Sequence, residues 1–141
     1  MQRRQRSKPA SKKAASRVRL LPEARSGILQ RLSEQGVLLP NKKEVTAYLG
    51  GHARLARLLP GICSEIRKAL GDEVELSLEK YKDPEIDDCY LTLYARQGKY
   101  EFDILDRLQA INDRLSQRLE AIPGYFLLAT DFSPPRGCNG V

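Results

Sequence analysis

A chain of 141 residues, 41% hydrophobic and 30% charged, has room for one domain with an ordinary core. No apolar run approaches the roughly 18–20 residues needed to cross a bilayer, and no continuous apolar stretch follows the basic start, which argues against a secretory signal. Three cysteines at irregular spacing (Cys63, Cys89, Cys138) and a single histidine, His52, fit neither a disulfide framework nor a zinc pattern, so reduced thiols and no metal or other cofactor are expected.

The net charge of +6 is unevenly divided: residues 1–19 carry +8 without one acid, residues 20–71 carry +4, and residues 72–141 carry −6. The opening "MQRRQRSKPASKKAASRVR" lacks aromatics and cannot bury enough apolar surface to offset its ordering entropy, which predicts disorder over 1–21. Its cations, Arg3, Arg4, Arg6, Lys8, Lys12, Lys13, Arg17 and Arg19, suit phosphate neutralisation on nucleic acid or another polyanion. A solubilising extension and an organelle transit segment are the competing readings of the same composition.

From Pro22 the pattern is helical. Ile28, Leu29 and Leu32 form one stripe, with Gly36 as the stop. "PNKKEVTAYLGG" follows, with Asn41 as N-cap and Glu44 at capping-box spacing. "HARLARLLPGICSEIRKALGD" repeats Leu55, Leu58, Leu59, Ile62, Cys63, Ile66 and Leu70 at steps of three or four, an amphipathic helix that Pro60 either kinks or divides. His52 reads as a turn or helix-start residue.

The period then changes to two. "EVELSLEKY" and "CYLTLYAR" alternate apolar and polar positions, and the short link between them predicts an antiparallel hairpin. A further helix spans about 103–121, and "PGYFLLATDF" reads as a third strand, parallel to the second because a helix crosses over between them. The expected fold is α+β in the order ααα-ββ-α-β, with one body over 22–132 and a loose end over 133–141.

Between the hairpin strands, "DPEIDD" packs Asp83, Glu85, Asp87 and Asp88 into six positions. Four carboxylates can hold a divalent cation, with Asp131 as a further contributor. The topology places Asp131 at the opposite end of the sheet, and Asp-Pro is a turn starter in its own right. A solvated turn is therefore the expectation, an acidic partner-binding knob comes second, and a metal-dependent hydrolase third.

The outward strand faces combine Tyr90 and Tyr94 with Glu75, Glu79, Thr92 and Arg96. Exposed sheet aromatics stack bases in single-strand readers, but glutamates would repel phosphate there. Tyr90 and Tyr94 are expected to pack on another part of the chain or on a second subunit. Lys42, Lys43, Arg54 and Arg57 lie on a helix–turn–helix-like unit, whose second helix carries Arg57 where an apolar residue belongs. No nucleophile elbow, phosphate-cradling loop or dinucleotide fingerprint is present.

"DPEIDDCYLTLYARQ" followed by "ATDFSPP" resembles a signature of small bacterial proteins of about this size, over roughly residues 52–135. The resemblance implies a bacterial, cytosolic, partner-binding protein and no catalytic residues. The sequence thus leans away from an enzyme. It points to an adaptor or regulator whose basic tail touches a polyanion without base specificity and whose body holds a protein, an antitoxin-like inhibitor being one variant. Lys42, Lys43, Arg54 and Arg57 would extend the basic surface. Asp83, Glu85, Asp87, Asp88, Tyr90 and Tyr94 would form the partner surface. The alternatives are the hydrolase and a homodimer built on the sheet face.

Overall fold

The computed structural model describes residues 19–136 except positions 84, 86 and 87, so the expected disorder of residues 1–18 and the tip of the acidic turn lie outside the described residues. The elements are α1 (Pro22–Glu34), α2 (Lys42–Gly50), α3 (Ala53–Leu70), β1 (Glu75–Asp83), β2 (Asp88–Arg96), α4 (Ile104–Leu119) and β3 (Phe126–Ala129), in the expected order ααα-ββ-α-β.

The helices follow their apolar stripes. In α1, Ile28, Leu29 and Leu32 are buried. The helix ends where Gly36 turns left-handed at φ 83°, allowing Val37 N–H to reach back to Leu32 O at 3.0 Å. At α2 the expected capping box does not form: Asn41 holds the N-cap position with no side-chain bond to the helix. Pro60 does not divide α3, which runs unbroken from Ala53 to Leu70 with Leu55, Leu59, Ile62 and Ile66 buried. Gln35 Nε2 donates to Pro60 O at 2.9 Å, tying the end of α1 to the middle of α3.

Sheet order is β1-β2-β3. β1 and β2 run antiparallel from Glu75↔Arg96 to Asp83↔Asp88, while β2 and β3 run parallel from Leu91↔Phe126 to Tyr94↔Ala129. The parallel pair follows from α4, which carries the chain back before β3 begins. Leu38 adds a one-residue parallel bridge to the outer edge of β1 at Ser77. Leu76, Leu78, Leu91, Leu93, Ala95, Phe126 and Leu128 turn one sheet face toward the helices and complete the core. Cys63 lies in that core, where burial pushes its thiol up to about 12, out of reach of thiolate chemistry at neutral pH.

The body extends beyond the boundaries expected from sequence at both ends. Leu20, expected in the tail, is buried and its N–H donates to Gly50 O at 2.8 Å. Residues 133–136, expected to be loose, are bonded to the body: Arg136 N–H donates to Glu75 Oε1 of β1 at 3.0 Å, and Tyr100 Oη–H, from the loop after β2, donates to Ser133 O at 2.6 Å.

Candidate binding surfaces

Among the described residues no helix packs on the second sheet face, and period-two alternation assigns it Glu75, Ser77, Glu79 and Tyr81 from β1, Tyr90, Thr92, Tyr94 and Arg96 from β2, and Leu127 and Ala129 from β3. The register sorts these side chains into two groups of different chemistry, one at each end.

At one end Arg96 is fully buried. Its Nε and Nη2 donate to the two oxygens of Asp131 at 3.1 and 3.0 Å, the bidentate geometry that suits guanidinium. Glu75 lies 3.6 Å and Glu79 3.5 Å from the same guanidinium, which also sits 5.0 Å from the centroid of the Tyr94 ring. Asp131 is held well below the usual carboxylate range, chiefly by its bond to Arg96. Burial, reinforced by Glu79 and Asp131, raises the Tyr94 hydroxyl above its ordinary value. The chain after β3 closes the cluster. Thr130 and Asp131 each accept from an N–H two residues on, Phe132 at 3.1 Å and Ser133 at 3.0 Å, folding residues 131–136 across Arg96.

At the other end three tyrosines meet. Tyr90 lies 5.2 Å from Tyr81 and 5.1 Å from Tyr125 between ring centroids, the second pair edge-to-face. Tyr81 is exposed, whereas Tyr90 and Tyr125 are half-buried. Tyr90 and Tyr94 therefore pack within the chain. Tyr81 and Tyr125 belong to the same surface but were not singled out in the sequence, because Tyr125 precedes β3 and Tyr81 reads there only as the end of a strand.

Asp131 does not join the acidic turn. Asp83 pairs with Asp88 at the turn end of the hairpin, and Glu85 is exposed, while Asp87 lies outside the described residues. Asp131 sits with Arg96, eight strand residues away, or about 26 Å at the usual strand rise. Among the described residues no group of three or more histidines, cysteines, aspartates or glutamates could hold a metal ion.

The four basic residues of the body singled out from sequence, Lys42, Lys43, Arg54 and Arg57, are exposed but do not form one patch on a single helix. Lys42 and Lys43 begin α2, whereas Arg54 and Arg57 stand on the solvent side of the first turns of α3. The apolar side of α3 is buried in the core, so the helix–turn–helix-like unit holds its second helix as a core element with only a narrow exposed strip. Arg3, Arg4, Arg6, Lys8, Lys12, Lys13 and Arg17 lie outside the described residues, and Arg19 is exposed where the described chain begins.

His52 starts α3 and is buried, with its ring stacked on Tyr48 at 4.2 Å and its Nδ1 2.8 Å from Tyr48 O. Gly124 lies against it at φ 102°; a Cβ there would come within 2.9 Å of His52 Cδ2. Beside Gly124 a groove of about 570 Å³ runs between α4 and the segment 122–127, with Leu115, Ile122 and Phe126 among its apolar lining. Phe102 is fully exposed ahead of α4, and Leu105 is exposed one turn later. No helix among the described residues is long and apolar enough to cross a membrane.

Comparison with known proteins matched no protein-family model, no curated protein and no solved structure.

Proposed function

We propose that this chain is a non-enzymatic adaptor that uses its sheet to hold a protein and its basic N-terminal segment to hold a polyanion. The observation that supports the protein contact is the tyrosine group, Tyr81, Tyr90 and Tyr125, on a sheet face that no helix among the described residues covers. Tyrosines supply large contact area at low conformational cost, with a hydroxyl that tolerates water, and for this reason they are enriched at protein interfaces. The acidic turn borders this end of the sheet, which favours a partner presenting basic residues beside an apolar anchor. The polyanion contact rests on the charge of +8 over residues 1–19.

The test of the protein contact is affinity capture from lysate with full-length protein and with Tyr90→Ala and Tyr81→Ser variants, followed by direct titration of any captured protein. A partner that binds wild type and loses at least tenfold on Tyr90→Ala, with the fold intact, supports the reading. Equal binding by all three proteins contradicts it.

A further inference from the structure

The two long edges of α4 differ in charge. Toward α3 it carries Arg107, which donates to Ala69 O at 2.7 Å, and Arg118, paired with Glu65 at 2.7 Å. Toward β3 it presents Gln109, Asn112, Asp113, Ser116 and Glu120, which form one wall of the groove of about 570 Å³. Tyr125 and Pro123 contribute to the opposite wall, and no lysine or arginine is among the described residues lining the groove. The groove thus combines an apolar floor, an aromatic wall and two exposed carboxylates. That is the chemistry of a site for cations on a flexible stem.

The start of the described chain lies close by. Leu20 is fixed to Gly50 O, and two residues later His52 packs on Gly124, which lines the groove together with Leu55. The 18 residues before Arg19 carry seven cations and no acid. Fully extended, a segment of that length reaches roughly 60 Å, far more than the groove requires. A tether this short holds its own site at an effective concentration on the order of millimolar, so even a weak contact is occupied.

From the charge of the groove, the point where the chain leaves the body and the length of the segment, we infer that the groove between α4 and β3 is the resting site of the chain's own basic N-terminal segment. Asp113 and Glu120 pair with its lysines and arginines, and Tyr125 packs against their stems. A polyanion then competes with the groove for the same cations, so binding it releases the segment. The competition rests on the polyanion contact proposed above, whereas occupancy of the groove does not.

The experiment compares backbone amide NMR spectra of full-length wild type and a full-length variant in which the eight cations of residues 1–19 are glutamines. The expected result is a set of shift differences at Gln109, Asp113, Ser116, Glu120, Gly124 and Tyr125 in low salt, vanishing near 1 M salt. Asp113→Asn with Glu120→Gln in the wild-type background should erase the same differences, while amides of the buried β1 residues Leu76 and Leu78 stay in place. Identical groove amides in both proteins, or differences confined to Tyr81 and Tyr90, overturn the inference. A single-stranded oligonucleotide added to wild type should move the groove amides to their positions in the glutamine variant. If the oligonucleotide binds neither protein while the groove differences persist, the polyanion reading fails and the groove assignment stands.

Discussion

Arg96 shows how one residue organises a surface. Its guanidinium offsets three carboxylates at a buried position, and removing one partner of such a group is far more costly than exchanging a surface pair. Arg96→Met should lower the unfolding free energy by about 3 kcal/mol in a urea titration, near the lower end of the range for a broken buried pair because the carboxylates keep some exposure. Asp131 carries a pH signature. Its folded value is depressed by Arg96, so its contribution is present above the unfolded carboxylate value of about 4 and is lost as pH falls through the lower folded value. The stability difference between wild type and Asp131→Asn should be constant from about pH 7 to pH 5 and shrink below about pH 4. A difference that grows toward acid pH would contradict that assignment. Gly124 is constrained twice, by its φ and by His52, and Gly124→Ala should cost about 2 kcal/mol. His52→Ala in the same chain should recover only part of the loss, since the backbone strain remains.

The strand and helix boundaries were legible in sequence wherever a period persisted. The alternation of β1 and β2 and the stripes of α1, α3 and α4 fixed which side of each element is buried. Local chemistry was a weaker guide. Asn41 and Glu44 have capping-box spacing, yet α2 begins without the side-chain bond, and Pro60 leaves α3 intact because a buried helix is held by its packing. Arg96 was assigned correctly to the outward face, but its burial depends on residues 131–136, thirty-five positions later in the chain, and alternation alone equates outward with solvated. The groove was invisible for the same reason, as its walls come from α4 and from the loop before β3.

The edge of β3 supplies a prediction at the scale of elements. Leu91 N–H donates to Tyr125 O, so the parallel register turns the peptide groups of Phe126 and Leu128 away from β2. Asn112 answers at Leu128 with both halves of its amide, at 2.7 Å and 3.0 Å, in the place an added strand would occupy. Asn112→Ala should cost about 2 kcal/mol from two lost hydrogen bonds. It should also produce concentration-dependent association in size-exclusion chromatography, because the edge is then open. Loss of stability with no change in elution volume would show that α4 alone protects the edge.

At the scale of the whole molecule, the chain separates its charges. A segment of +8 precedes a body whose later part, residues 72–141, carries −6. The tyrosine group and the buried Arg96 cluster occupy opposite ends of one sheet face, and residues 131–136 close only the Arg96 end. Among the described residues the tyrosine end stays open, and the exposed Phe102 and Leu105 form a second apolar feature at the start of α4. The most direct test of the adaptor account is the affinity of full-length protein for a labelled DNA duplex across a salt series, beside the full-length variant whose eight tail cations are glutamines. The account predicts a log–log slope approaching about −7 for wild type if all eight cations meet phosphates, and less than half that slope with much weaker binding for the variant. Equal affinities and equal slopes for the two proteins would contradict it.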